Sequence, residues 1–238
     1  MTPTYVRQEE VNNRILASIP AEEFDELASL LEPVGLETGD RLYDFNEVLS
    51  HVHFVDGGLL SLLSTLEDGT SIEVGSLGRD GVGGLSALLG ADRAAHTALV
   101  QADGLAYRMS VARARDAFSH LPMFQEKMLR YTRLLMSQIS ATAACNTLHT
   151  VEERLARWLL MRRRRLESDR LPLTQKFLSH MLGVRRSGVT VAVGIIEQAG
   201  LVRHSRGTIV VTNPDGLRDA SCECIKTMTE EYDNFLNA

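Results

Sequence analysis

Cysteine is scarce in this chain of 238 residues: there are three, and none precedes Cys145. So odd and sparse a set argues against a disulfide framework and for a reducing compartment. No apolar run approaches the length of a membrane span. The polar start, MTPTYVRQEEVNNR, lacks the apolar core of a signal peptide. A cytoplasmic protein with no membrane partner is expected. Neither Pro (6) nor Gly (18) is enriched enough for long disorder, and no internal repeat is visible. Catalytic constellations are missing as well. No Ser/His/Asp set or paired carboxylates stand in a placed context, and Gly78, Gly81, Gly83 and Gly84 lack the strand-to-helix setting of a nucleotide fingerprint. An enzyme is therefore not expected.

Metal chemistry is also thin. His51 and His53 stand two apart on one expected strand and read as a surface pair. Cys222 and Cys224 form a C-x-C, which needs two further ligands to hold zinc. His180 and His204 are the candidates only if the fold brings them near. Ordinary packing or exposed thiols is the simpler account, so neither a metal site nor a cofactor is assigned.

What the chain has is a separation of charge and enough apolar residues, 44%, for one large core or two modest ones. Residues 154–212 carry 12 Lys/Arg against 3 Asp/Glu, whereas residues 1–150 carry 11 against 20. The overall charge of −6 thus hides a basic segment inside an acidic protein. Within that segment lies LPLTQKFLSHMLGVRRSGVTVAVGIIEQAGLVRHSRGTIVVT, from Leu171 to Thr212. It predicts a helix over Thr174–Leu182 with Thr174 as N-cap, a turn at Gly183, and a second helix from about Arg185–Ser187 to Gly200. Phe177, Leu178, Met181 and Leu182 give the first helix an apolar stripe; Val189, Val193 and Ile196 give one to the second. Leu201–Arg203 and Thr208–Val211 alternate like strands about an Arg206-Gly207 turn. This is a helix-turn-helix with a wing. A basic stripe placed on it is the footprint of phosphate contacts. The candidate DNA-binding residues are Thr174, Gln175, Arg185, Arg186, Ser187, Gly188, Thr190, Arg203, His204 and Arg206.

Upstream, residues 9–32 predict one or two short helices, the second begun by Pro20. From Val34 to Val111 short runs broken by turns suggest an antiparallel roll or barrel. Asp56-Gly57-Gly58 and Asp68-Gly69 are its hairpin signals. Helical spacing returns at Ala112–Phe118. Pro122 then opens a segment without Gly or Pro until Pro172, predicting a helix from about Pro122 to Leu148. Its apolar flanks suit either its own domain plus a second copy of the chain, or burial on both sides in a monomer. A helix from Val151 to about Glu167 comes next, ending in Arg162–Arg165, which are either phosphate contacts or a solvated face. Residues 217–238 predict a terminal amphipathic helix with Leu217, Ile225, Met228, Tyr232 and Phe235 in one row.

Roll, long helix and winged helix-turn-helix, in that order, resemble the Crp/Fnr (cyclic-AMP-receptor and fumarate-nitrate-regulator) family of bacterial transcription factors. GDRLYDFNEVLSHVHFVDGG resembles the first turn of that family's roll, and EVGSLGRDGVGGLSALLG the loop at its ligand pocket. VEERLARWLL with LTQKFLSHMLGVRRSGVTVAVGIIEQAGLV resembles its DNA-binding domain. The resemblance implies an α+β chain with a cyclic-nucleotide-binding-like jelly roll at 1–118, a dimerisation helix at 119–150, and a winged helix-turn-helix with a terminal helix at 151–238. It implies a transcription regulator that binds a near-palindromic DNA site as a homodimer under a signal felt in the roll, with RNA polymerase as a further partner. The alternative is a sensor module of the cyclic-nucleotide type acting through protein contacts. The pocket residues it points to are Gly83, Gly84, Leu85, His96 and Thr97. Gly84 stands where cyclic-AMP binders place a ribose-holding Glu, and His96 where they place an Arg for the phosphate. A neutral His is a poor substitute for a fixed cation, so cyclic AMP is not expected as ligand. Of the family's Arg-Glu-x-x-x-Arg reading residues, the matching positions are Arg186, Ser187 and Val191, and only Arg186 is retained.

Overall fold

A computed structural model describes residues 6–236. The first five residues of the polar start, and the last two of the expected terminal helix, lie outside the described residues. The chain divides into two units. One runs up to Leu63 and includes Ser76–Leu135; the other joins Ser64–Gly75 to the stretch from Met136 onward.

The first unit begins with α1 (Arg14–Ala17) and α2 (Ala21–Ala28), which starts behind Pro20 as expected. Phe24 and Leu27 bury its inner face. Strands β1 (Glu32–Leu36), β2 (Arg41–Tyr43), β3 (His51–Val55), β4 (Leu59–Thr65), β5 (Ser71–Leu77), β6 (Val82–Gly83), β7 (Thr97–Ala102) and β8 (Gly104–Ser110) come next. They form two sheets, ordered β1-β8-β3-β6 and β2-β7-β4-β5, with antiparallel registers. Val52, Phe54, Leu60, Ala98, Val100, Ala106 and Met109 fill the core of this roll. Asp68-Gly69 turns the β4–β5 hairpin, with Gly69 at φ +82°. Asp56-Gly57-Gly58 does not make a hairpin: β3 and β4 lie in different sheets, and the turn carries the chain from one to the other. The Asp56 carboxylate is committed elsewhere, accepting from the backbone N–H groups of Asn12 and Asn13 at 2.6 and 2.8 Å. Gly58 at φ +83° has no room for a Cβ beside the Ala102 carbonyl.

After α3 (Val111–His120), α4 spans Pro122–Leu148, the predicted limits. Its first turn is capped from a distance. The Glu23 carboxylate accepts from the backbone N–H of Met123 at 3.0 Å and of Phe124 at 2.9 Å, placing a negative group on the positive helix end. Phe124, Met128, Tyr131 and Leu134 are buried on its inner side, and the Phe124 ring tilts against Phe54 at 6.1 Å.

The second unit holds α5 (Val151–Leu166), β9 (Arg170–Leu171), α6 (Gln175–Leu182), α7 (Arg186–Gln198), β10 (Val202–Ser205), β11 (Thr208–Val211), α8 (Pro214–Asp219) and α9 (Cys224–Leu236). A capping box, Thr150 with Glu153, opens α5. Leu155, Leu159, Leu178, Leu182, Val189, Val193, Ile196, Ile209 and Leu217 form one core. The terminal segment is not one helix. Leu217 sits on α8, and the chain breaks at 220–223 before α9 carries Ile225, Met228, Tyr232 and Phe235 inward. The Asn213 cap and Pro214 favour starting a short helix early, ahead of that break. Among the described residues no helix is long and apolar enough to cross a membrane.

Candidate nucleic-acid interface

The helix-turn-helix forms where the sequence predicts it. Thr174 caps α6, its hydroxyl accepting from the Phe177 N–H at 3.1 Å. Gly183 ends α6 at φ +62°, a left-handed turn that L side chains disfavour. Arg154, buried on α5, donates to the Leu182 carbonyl and so satisfies one orphan acceptor at the end of α6.

α7 begins at Arg186, with Arg185 as an N-cap whose side chain makes no capping bond. Both arginines and Ser187 are exposed, and Gly188 is half-buried. Cations at a helix N-terminus oppose the macrodipole and cost roughly 0.3–1 kcal/mol each. That cost is repaid only if an anion comes to the same place, where free N–H groups and guanidinium groups add their attraction. Thr190 is exposed, and its hydroxyl lies 3.0 Å from both the Gln175 amide oxygen and the Arg186 carbonyl, pinning the start of α6 to the first turn of α7. The sheet β10-β11-β9 forms the wing, with a two-residue turn at Arg206-Gly207 and Gly207 at φ +75°. Arg203 and Arg206 are exposed on it. His204 is half-buried, its backbone N–H donating to Glu197 at 2.6 Å. The third strand, β9, has only two residues, too short for an alternation signal.

The outer face of α7 adds residues that charge and polarity did not single out. Val191 is 59% exposed and Ile195 48% exposed. Their spacing of four from Ser187 sets them opposite Val189, Val193 and Ile196. That offset is a visible sequence signal for an apolar pair on the exposed face of the helix.

Arg162–Arg165 are not a solvated face: each is buried or held by a partner within the chain. Arg162 is 3% exposed and stacks 5.0 Å over the Trp158 ring and 5.5 Å over Phe177. Burial pulls its pKa down to about 10, against the pull of Glu73, so it keeps its proton at neutral pH. Arg165 is also buried, Arg163 pairs with Asp169, and Arg164 pairs with Asp233 beneath the Tyr232 ring. The helix periodicity turns two of the four inward, and the neighbouring acids and rings hold the others. The β4–β5 tip takes part in the same unit: Trp158 Nε1 donates to Glu73 at 2.8 Å.

In the roll, three of the expected pocket residues, Gly83, Gly84 and Thr97, already have partners within the chain. The Gly84 N–H donates to the Tyr43 hydroxyl at 2.9 Å, and Gly83 packs beside the same ring. Burial, opposed by that Gly84 contact, pushes Tyr43 up to about 12, so its hydroxyl stays neutral. The Thr97 hydroxyl accepts from the Phe45 N–H at 3.0 Å and lies 3.3 Å from Asp44. Leu85 is buried, and burial holds the half-buried His96 below its ordinary pKa, as a neutral ring. His51 and His53 are not a surface pair. His53 is buried, and burial, with the charges of His51 and Arg108, lowers it to about 4. Cys222 and Cys224 do not meet His180 or His204. They lie beside Cys145 and His149.

Residues 153–220 match the family model of the Crp-like helix-turn-helix domain. Comparison with curated protein sequences gives no match. Among solved structures, FixK2 from Bradyrhizobium japonicum is similar with a TM-score of 0.71 at 18% identity, over 81% of this chain and 98% of that one. A putative transcriptional regulator of the Crp/Fnr family from Eubacterium rectale gives 0.70 at 15% identity, over 87% and 96%. The c-di-GMP responsive global regulator CLP of Xanthomonas campestris gives 0.68 at 15% identity, over 81% and 99%. The chain thus has the fold of these solved structures, and within it residues 153–220 match the Crp-like helix-turn-helix domain.

Proposed function

We propose that this chain regulates transcription by binding double-stranded DNA as a homodimer at a near-palindromic site. The observation that carries the proposal is the exposed face of α7, with Arg185, Arg186 and Ser187 at its N-terminus and the basic wing residues Arg203 and Arg206 nearby in sequence. In this reading α7 enters the major groove. Arg186 pairs with guanine O6 and N7, and Ser187 and Thr190 bond to base edges or phosphates, with Gly188 allowing close approach. Val191 and Ile195 meet thymine methyl groups, the apolar features of that groove. Arg185, Arg203, His204, Arg206 and the α6 terminus at Thr174 and Gln175 hold the phosphates.

The second copy is supported by α4. Leu129 is 50% exposed and Met136, seven residues on, 64% exposed, with Ile139 three further along. That spacing is a heptad seam suited to the same helix of a second chain. The roll is the place for a controlling signal, and RNA polymerase is the partner through which a bound regulator acts. Cyclic AMP does not fit as that signal, since Gly84 and the neutral His96 supply neither a carboxylate nor a cation, and Tyr43 holds the Gly84 N–H. Selection of bound duplexes from a random pool tests the proposal. It should enrich two inverted half-sites about one helical turn apart. Enrichment of no sequence, or of a lone half-site, would refute it.

A further inference from the structure

Three cysteines and one histidine, far apart in sequence, converge in the second unit. Cys145 lies in the last turns of α4, and His149 comes four residues later, one helical turn along the same side. Cys222 lies in the break after α8 and Cys224 is the first residue of α9, and both turn toward the same point. The three Sγ atoms and one His149 ring nitrogen all lie within 4.8 Å of one another. The Cys145 and Cys222 sulfurs are 3.4 Å apart, and Cys224 Sγ is 3.8 Å from His149 Nδ1. Zinc bonds of about 2.3 Å to sulfur and 2.0–2.1 Å to nitrogen, in a tetrahedron, set neighbouring ligand atoms roughly 3.5–3.8 Å apart. The cluster meets that spacing with small adjustments.

Two surrounding groups fit the same chemistry. Glu223 lies 3.2 Å from His149 Nε2, so its carboxylate accepts from an N–H there and leaves the Nδ1 lone pair facing the sulfurs. Arg157 is buried, and its hydrogen-bond partners are sulfurs: Cys145 at 3.2 Å and Met228 at 3.3 Å. Three thiolates, one neutral imidazole and Zn2+ carry a net charge of −1, which the Arg157 guanidinium offsets. With three neutral thiols the same guanidinium would be a buried cation facing only weak acceptors.

From this we infer a zinc site of the Cys3His type, formed by Cys145, His149, Cys222 and Cys224. All four positions of the tetrahedron come from the protein, and Cys145 and Cys222 are buried, so the site is structural rather than catalytic. On binding, three S–H protons leave to solvent as three Zn–S bonds form. The metal ties the end of α4 to the head of α9, clamping the terminal helix against α5. This inference stands independently of the DNA reading.

The test uses the full chain, reduced and stripped of metal. Titration with Co(II) should give one equivalent per chain, with the visible d–d bands of tetrahedral cobalt and a thiolate charge-transfer band in the near ultraviolet. Zn(II) should then displace the cobalt. Cys145 is fully buried, so the ligand variants are Cys222→Ser/Cys224→Ser and, separately, His149→Gln, each checked for folded structure by circular dichroism. The double variant should lose the bands and weaken Zn(II) binding by at least ~100-fold. His149→Gln should alter the bands, whereas His180→Gln should leave them unchanged. Wild-type protein that takes up no stoichiometric Co(II), or bands indifferent to Cys222→Ser/Cys224→Ser, overturn the inference. So does a chain that binds no metal and instead closes a Cys145–Cys222 disulfide in air.

Discussion

Replacing Gly183 with alanine tests whether the helix-turn-helix is set by its turn. Gly183 sits at φ +62°, where an L residue costs roughly 1–2 kcal/mol. Its Cβ would also stand 2.7 Å from Ile72 Cδ1 on the β4–β5 tip. That atom is the end of a flexible side chain, so the contact is relieved by an off-rotamer shift of about 0.5–1.5 kcal/mol. Against this, alanine lowers the entropy of the unfolded chain and recovers about 0.4–1 kcal/mol. The net expectation for Gly183→Ala is a loss of about 1–2.5 kcal/mol. The double variant Gly183→Ala/Ile72→Ala should recover the steric share, making it less destabilised than the sum of its parts by about 0.5–1.5 kcal/mol. Gly183→Asn should be milder than alanine, since asparagine tolerates this backbone region. The single tryptophan, Trp158, lies in the second unit, so its fluorescence in a denaturant titration follows that unit. Gly183→Ala unfolding within 0.3 kcal/mol of wild type, as a rough resolution limit, with no coupling to Ile72, would show the turn geometry to be wrong.

The folded state holds His53 near 4 and the unfolded chain near 6.5, so its contribution is complete above pH 6.5 and lost as pH falls toward 4. The loss is about 3 kcal/mol, and denaturation of His53→Leu should show a shallower acid dependence over that window than wild type. Met136→Glu with Leu129→Glu should give monomers by sedimentation and weaken operator binding, whereas dimers persisting in the double variant would move the interface elsewhere. Arg186→Ala should cost roughly 1–3 kcal/mol at one base pair of each half-site, while Arg185→Ala should weaken all sequences alike. Affinities on a set of single-base operator variants separate the two; an even loss for Arg186→Ala removes its reading role.

Local signals make much of the second unit legible from sequence. Pro172 and Thr174, the glycine at 183 and Arg206-Gly207 mark the boundaries of α6, α7 and the wing because caps and turns act within a few residues. α4 is legible for the same reason, from Pro122 and an unbroken apolar period. Where contacts are distant, the sequence misleads. Arg162–Arg165 look like a charged surface, and only the rings of Trp158, Phe177 and Tyr232 and the carboxylates of Asp169 and Asp233 reveal them as packed. Asp56-Gly57-Gly58 reads as a hairpin because its turn residues are local, whereas distant partners, β8 for β3 and β7 for β4, put the flanking strands in different sheets. The cysteine cluster joins two pairs 73 to 79 positions apart in the chain, so neither C-x-x-x-H nor C-x-C could announce it alone. His53 moves from expected surface to interior because strand alternation gives a face, not the layer that covers it.

The central claim is that α7 and the wing hold DNA. The direct test is the affinity for the selected site as salt is raised from 50 to 200 mM, beside an unrelated duplex of equal length. A dimer using Arg185, Arg203 and Arg206 from each chain neutralises about six phosphates, so log K should fall against log salt with a slope near −5. The selected site should remain at least ~1,000-fold tighter than the unrelated duplex throughout. Binding that is flat with salt, or equal for the two duplexes, would contradict the account.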